Sequence, residues 1–343
     1  MRILIVQTAF IGDVILITPL IRATAELYPQ AAIDVLVVPA AAKLLENNPY
    51  IHAVISYPKR KNALWTMLQM IMRLRNNHYD LAISPHSSGR THLLLYFSKI
   101  PIRIGFDRSL FPWLLTAKIP HPVGMHKIDK NLKLLTLLSP KKFSPQSELF
   151  PSEQDFITAN KLLNPIKPKS VVAIAPGSIW ASKCWAIESY ISLCLGLLEQ
   201  GFGIVLIGGA ADASQCEQIE QAALKQEAEA RILNLAGKTD LLQSAAIISQ
   251  CKLMICNDSG ALHIANAMQT KVFAFFGPTV PAIGYYPYRR GDKVFEVSLA
   301  CRPCGSHGGA KCPLGHHNCM KQINPQMVLA QVLAELCGSV GGS

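Results

Sequence analysis

Short apolar runs without polar interruption recur along this chain, and each is followed by a stretch long enough for a helix. The first is Ile3-Leu4-Ile5-Val6, and 34–38, 53–55 and 81–83 repeat it. A run of this length that does not alternate with polar residues suits a strand buried on both faces, which is the condition of a parallel sheet. Helices are expected between the runs at about 14–28, 40–47, 62–77 and 87–98, with another near 126–138. A polar stretch with two prolines, 139–150, then breaks the pattern and reads as a linker. A helix at 152–163 and the stretch NPIKPK lead into a second series of runs at 171–174, 203–207, 232–233, 253–255 and 272–276. Helices are expected there at 185–200, 211–226, 239–250 and 259–267.

Strand and helix in alternation mean βαβ units. The fold class is therefore α/β, with two doubly wound domains at 1–150 and 151–324. A last helix, 325–338, is placed so that it could pack back on the N-terminal domain, and the tail 339–343 is expected to be disordered. Half of the 343 residues are hydrophobic and 16% are charged, which is enough apolar material for two cores.

Charge separates the two halves. Residues 1–150 hold 18 Lys and Arg against 8 Asp and Glu, whereas the remainder holds 15 against 14. A basic half attracts polyanions such as nucleic acid, anionic lipid or a phosphorylated glycolipid, although ordinary surface charge is the plainer alternative. The basic residues are dispersed and no aromatic-basic RNA motif accompanies them, so a nucleic-acid partner is not expected. The N-terminus has the outline of a signal peptide, but Asp13 interrupts the apolar stretch. No run of 18 apolar residues occurs, so a transmembrane helix is not expected. These features predict a cytoplasmic chain that is at most peripheral to a membrane.

Ligands of open α/β sheets bind beyond the carboxyl ends of the strands, which directs attention to the loops there. Gly12-Asp13 follows the first strand. Its carboxylate is either a first-turn residue favoured at a helix start or a general base for an incoming hydroxyl. The loop lacks the three glycines of a dinucleotide fingerprint. In the second series, Gly177 and Ser178 offer backbone N–H groups to an oxyanion and Lys183 adds a point charge; an exposed lysine beside two packing tryptophans is the alternative. Asn257-Asp258-Ser259-Gly260 again joins strand to helix, with His263 one turn later and Gly277-Pro278-Thr279 after the next strand. Free N–H groups in such a first turn form an anion site.

Of ten cysteines, Cys184, Cys194, Cys216, Cys251, Cys256 and Cys337 stand in apolar or helical contexts and read as small buried hydrophobes. Cys301, Cys304, Cys312 and Cys319 form a cluster with one C-x-x-C pair. Either they hold a structural zinc or iron, or the loop is reduced and metal-free.

Together these loops resemble glycosyltransferase family 9, the ADP-heptose:lipopolysaccharide heptosyltransferases. The resemblance runs over essentially the whole chain. It rests on M-R-I-L-I-V-x(5)-G-D, R-I-G-F-D-R at 103–108, M-H-K-I-D-K-N-L at 125–132, P-G-S-x-W-x-x-K-x-W at 176–185, L-A-G-K-T-D-L at 235–241, N-D-S-G-A-L-H-I-A-N-A at 257–267 and the later F-G-P-T. The segment C-x-P-C…C-P-L-G-H-H-N-C-M is similar to a heptosyltransferase II subset of that family.

The resemblance implies a GT-B fold, two Rossmann-like domains facing across a cleft, with an inverting mechanism and no cofactor or metal needed for catalysis. It implies Asp13 as the base, with Gly12 beside it at the acceptor, and Gly177, Ser178 and Lys183 as donor-diphosphate contacts. Asp258 would bind the heptose, and Ser259 (where the family more often has Thr), Gly260 and His263 the phosphate side. Asp212 or Glu217 would hold the ribose, with the adenine near Leu241. The donor would be ADP-L-glycero-D-manno-heptose. The acceptor would be the lipopolysaccharide inner core, a heptosylated Kdo-lipid A, at the cytoplasmic face of the inner membrane. Its site belongs in the basic half, with Lys59, Arg60, Lys61, Arg90, Arg103, Arg108 and Lys127 as candidates. The apolar stretch 64–72 reads as a core helix, the alternative being a surface that rests on the membrane. Two further alternatives are a GT-B enzyme using another nucleotide sugar and a non-catalytic sugar-nucleotide binder.

Overall fold

The computed structural model describes residues 1–59, 63–166, 170–227 and 231–338. The candidate residues Arg60 and Lys61, and the tail 339–343, lie outside the described residues. The chain divides into two compact units, Met1–Phe150 and Pro151–Ser343.

The first unit runs β1 (Arg2–Gln7), α1 (Ile11–Ile15), α2 (Thr18–Leu27), β2 (Ala32–Val37), α3 (Pro39–Ala42), β3 (Ala53–Ser56), α4 (Ala63–Asn76), β4 (Leu81–Ser84), α5 (Gly89–Phe97), β5 (Ile102–Phe106), β6 (Ala117–Ile119) and α6 (Lys127–Lys133). The second runs α7 (Glu153–Leu163), β7 (Val171–Ala175), α8 (Ile187–Glu199), β8 (Gly203–Leu206), α9 (Ala213–Gln226), β9 (Ile232–Asn234), α10 (Leu241–Ser249), β10 (Leu253–Asn257), α11 (Gly260–Ala267), β11 (Lys271–Phe276), β12 (Lys293–Glu296), α12 (Asn318–Lys321) and α13 (Pro325–Gly338).

Each unit holds one six-stranded sheet, ordered β3-β2-β1-β4-β5-β6 and β12-β11-β10-β7-β8-β9. Every pairing is parallel. Counted from its own first strand, each sheet has the same order, 3-2-1-4-5-6. The direction of winding reverses between β1 and β4 in one unit and between β7 and β10 in the other. Such switch points leave a crevice at the carboxyl ends of the two central strands. Of these central strands β4, β7 and β10 are buried throughout, as is β8 beside β7. The strands β5, β6 and β12 carry charged residues and do not stand out as apolar runs.

Three expected helices are broken up: 40–47 shortens to α3 and 126–138 to α6, each followed by a tighter 3₁₀ turn, and the third is at 14–28. The helix expected over 14–28 is two helices, because α1 ends at Ile15 and α2 restarts with a proline in its first turn. Proline lacks the N–H that would continue the ladder. The Thr18 hydroxyl donates to Ile15 O at 2.9 Å, and the Asn131 amide donates to Leu16 O at 2.9 Å. The break thereby ties the helix that carries Asp13 to α6. The last helix, α13, belongs to the second unit. Val328 and Val332 are fully buried in that core, and Leu329 packs where Gly196 of α8 has no side chain. Among the described residues no helix is long and apolar enough to cross a membrane.

Candidate functional site

In the first unit the residues at the switch point come from the ends of β1, β3, β4 and β5 and from the start of α6. Asp13 sits in the first turn of α1 and is buried. The Lys59 ammonium donates to Thr8 O at 2.5 Å, and Arg90 reaches Lys59 O at 2.7 Å, so the loops after β1, β3 and β4 are stitched together by cations. His86, after β4, lies 3.1 Å from the Thr8 hydroxyl through Nδ1. Burial, aided by the charges of Lys59, Lys127 and His92, pushes its pKa down to about 4. Burial followed by Lys127 and Arg108 also lowers the pKa of Lys130, and His121 is depressed by burial and then by Lys130, Lys127 and Arg108. Among the described residues none of Arg90, Arg108, Lys127 and Lys130 has a salt-bridge partner. The edge that holds Asp13 thus gathers several positive charges, suited to an anionic ligand.

In the second unit the site is closed by hydrogen bonds. The side chain of Asn257, at the end of β10, is fully buried. It donates to Pro176 O at 2.7 Å and accepts from Trp185 N at 3.0 Å and Tyr190 Oη at 3.1 Å. This one amide fixes the loop after β7 against the end of β10. Lys183 on that loop lies 2.6 Å from Asp258 Oδ2, both side chains being nearly buried, and the Thr279 hydroxyl donates to the same oxygen at 2.6 Å. The pair stands at the start of α11, where the Ser259 side chain makes no cap and Gly260 opens the helix. His263 is buried one turn on, its ring 6.2 Å from that of Tyr285. A fixed cation beside a helix N-terminus is a site for a diphosphate.

Gly177 approaches Asp212 closely: a Cβ there would stand 2.0 Å from Asp212 Oδ1, so the carboxylate would have to shift. The Asp212 carboxylate also accepts from Gly209 N at 2.8 Å, so it lies between the loops after β7 and β8. Glu217 is on the exposed face of α9, where it accepts from Gln221. Of the two acidic candidates Asp212 is the one at the carboxyl ends of β7 and β8. Leu241 opens α10 behind the Asp240 cap, and the turn before it is tied to the glycine loop after β8 by Gly237 N to Gly208 O at 2.9 Å.

Arg103 is misplaced for an acceptor contact. It is near the amino end of β5, while the other candidates are at carboxyl ends, and its guanidinium is spent on Leu114 O at 2.8 Å, on Ile100 O and on the face of Tyr96. Of the scattered cysteines, Cys337 is exposed and Cys184 half-buried, while the other four are buried. In the cysteine segment Cys319 is buried and Cys304 exposed, and all four thiols are free. Among the described residues no three His, Cys, Asp or Glu side chains converge closely enough to hold a metal ion.

Sequence reasoning missed His86, Lys130, Ser182 and His317 as parts of these sites. For His86 a signal existed: S-P-H-S-S-G follows an apolar run just as the other site loops do. Ser182 and His317 contact each other across 135 positions and carried none.

The sequence matches the profile of glycosyltransferase family 9 (heptosyltransferase) over residues 67–313. Lipopolysaccharide heptosyltransferase 2 of Salmonella typhimurium is 26% identical over 367 aligned positions, covering 97% of each chain. The Escherichia coli protein of the same name is 27% identical over 98% of this chain and 99% of its own. The structure of E. coli ADP-heptose lps heptosyltransferase II superposes with a TM-score of 0.81 at 25% identity, covering 99% of this chain and all of that one. The profile match over most of the chain, the GT-B pair of parallel sheets and the site loops agree, and the chain belongs to glycosyltransferase family 9.

Proposed function

We propose that this glycosyltransferase moves heptose from ADP-L-glycero-D-manno-heptose to a heptosylated Kdo-lipid A acceptor of the lipopolysaccharide inner core, with inversion at the anomeric carbon. The Asp13 carboxylate takes the proton of the acceptor hydroxyl as its oxygen bonds to the anomeric carbon. The bond from that carbon to the β-phosphate oxygen breaks, and ADP leaves with the electron pair. Lys183 and the N-terminus of α11 meet the charge that develops on the diphosphate. Asp258 takes sugar hydroxyls, Asp212 the ribose, and the adenine lies by Leu241.

The observation that carries this reading is the nearly buried Lys183–Asp258–Thr279 cluster at the start of α11 in a family 9 chain. The experiment is ADP release from ADP-heptose with and without a truncated core acceptor. Acceptor-dependent release is expected, and its absence would refute the proposal. Thermal shifts with ADP, UDP and GDP test the nucleotide; stabilisation by UDP alone would point to another donor.

The acceptor is anchored in lipid, and we propose that the first unit works against an anionic bilayer surface. Support comes from α4, whose Leu64, Trp65, Leu68 and Met72 are 81%, 61%, 54% and 55% exposed. At about 100° per residue they fall within one arc of about 100°. Arg73 and Arg75 stand in the last turn. The opposite face, with Met70, Ile71 and Leu74, enters the core, so the stretch 64–72 is core on one side only. A basic, apolar helix face with an exposed tryptophan suits the headgroup layer.

A further inference from the structure

Residues 301–320 make few of the contacts that build a core. Cys304 and Leu314 are exposed, and only Cys319 and Met320 of the segment are buried. Several of its polar contacts go instead to the two loops that carry Lys183 and Thr279.

On the lysine side, Ser182 is buried and exchanges two hydrogen bonds with Gly309: Ser182 N donates to Gly309 O at 3.1 Å, and Gly309 N donates to the Ser182 hydroxyl at 2.8 Å. The His317 ring donates from Nε2 to Ser182 O at 2.7 Å, since a carbonyl can only accept. Gly308 lies flat against the Lys183 stem, where a Cβ would stand 3.1 Å from Cγ and 3.2 Å from Cε. A little further on, Trp185 Nε1 donates to Ile323 O at 3.1 Å.

On the threonine side, the guanidinium of Arg302 is spent on main-chain carbonyls at the end of β11. It donates to Phe276 O and Thr279 O, each at 3.0 Å, and to Gly277 O and Val297 O, with Glu296 at 2.8 Å. Cys304 N adds a bond to Pro278 O at 2.9 Å. Met320 fills the space beside Gly277, which a Cβ would invade. A planar five-donor fork can gather carbonyls from one turn in this way, whereas an ammonium cannot.

We propose that the segment Cys301–Met320 is a positioning element of the donor site. It holds Lys183 and Thr279 on the two sides of Asp258, with Ser182, His317 and Arg302 as positioning residues that do not themselves touch the substrate. Groups that orient a ligating or charge-bearing side chain commonly change affinity or rate about 10- to 100-fold when removed. The proposal rests on the reading of Lys183 as the cation that meets the donor diphosphate.

The test uses the full chain and ADP as probe, with four variants: Lys183→Ala, Ser182→Ala, His317→Ala and His317→Gln. ADP affinity is measured by titration calorimetry, kcat and the KM for each substrate by ADP release, and stability by thermal melting. His317 has a left-handed backbone, φ 54°, so Ala and Gln bear a similar backbone cost and their difference isolates the side-chain hydrogen bond. His317→Ala and Ser182→Ala should each weaken ADP binding about fivefold and lower kcat about tenfold, leave the acceptor KM unchanged and shift the melting point by less than about 2 °C. His317→Gln, which keeps a donor near the Nε2 position, should return both values to within about twofold of wild type. If Lys183→Ala weakens ADP but His317→Ala and Ser182→Ala match wild type, the positioning role is wrong. Loss of melting temperature and active fraction with an unchanged ADP affinity, not rescued by Gln, would reduce the segment to a structural one and also overturn the proposal. If Lys183→Ala itself binds ADP as wild type does, the donor reading fails and the proposal falls with it.

Discussion

The two units share a strand order and a position for their functional loops, yet their edges are finished in opposite ways. In the second unit the two charges at the start of α11 are partnered. Lys183 has Asp258, Asp258 also has Thr279, and Asn257 spends its amide on three neighbours. In the first unit the corresponding edge gathers Arg90, Arg108, Lys127 and Lys130 without a salt bridge among the described residues. Surface apolarity divides the same way: among the described residues, thirteen of the nineteen exposed large hydrophobic side chains belong to the first unit, although it is the shorter. One scaffold thus carries a rigid, self-satisfied cradle and an open, basic, partly apolar face. The first suits a small ligand met in one fixed pose, and the second suits a large anionic partner at a lipid surface.

The largest effect that should separate the units is on catalysis. Asp13→Asn should lower transfer by about a thousandfold while the second unit's ligand is still bound, because a general base contributes on the order of 10²–10⁴. Turnover close to wild type in a steady-state ADP-release assay would remove the first unit's chemical role. Lys183→Ala should cost about a hundredfold in kcat/KM for ADP-heptose, the scale of one electrostatic contact to a developing charge. An effect confined to the acceptor KM would place the lysine on the wrong side of the comparison.

A smaller effect concerns stability and its pH dependence. His86 is held neutral in the folded chain, its pKa pushed from 6.5 to about 4 by burial and by the cations around it. The unfolded chain takes up a proton as pH falls through 6.5 and the folded chain does not until about 4. Stability is therefore complete above 6.5 and declines across that window, by about 3 kcal/mol at most. Urea unfolding at pH 7.5 and 5 should show this slope in wild type and a flatter one in His86→Gln; equal slopes would mean that the basic edge does not set the behaviour of the first unit. Smallest is the lipid effect. Leu68→Glu with Met72→Glu should lower partition onto anionic vesicles about tenfold, with activity on a deacylated acceptor unaffected. Wild-type binding should itself weaken in high salt. Unchanged vesicle binding in the double variant would remove α4 from the account.

The central strands were legible because β1, β4, β7 and β10 are buried on both faces and leave no alternation to misread. The strands β5, β6 and β12 were not. β5 carries Arg103 within it, β6 is three residues long, and β12 begins and ends on charged residues. β5 also explains the misplacement of Arg103: the motif R-I-G-F-D-R spans a whole strand, so its two arginines lie toward opposite ends of the sheet and only Arg108 reaches the basic cluster. For α4 the apolar residues run round most of the helix, and periodicity cannot say which side is core. Asp258 and Lys183 could be read from their loops, but their mutual contact, and the hold of Ser182 and His317 on one of them, joins segments 75 and 135 positions apart. No local signal encodes such a pairing.

The most direct test of the division between the units is a calorimetric titration of ADP into wild type, Asp13→Asn and Lys183→Ala. The account predicts that Asp13→Asn binds ADP with wild-type affinity and that Lys183→Ala binds about tenfold more weakly. Equal affinities in all three, or a loss in Asp13→Asn instead, would contradict it.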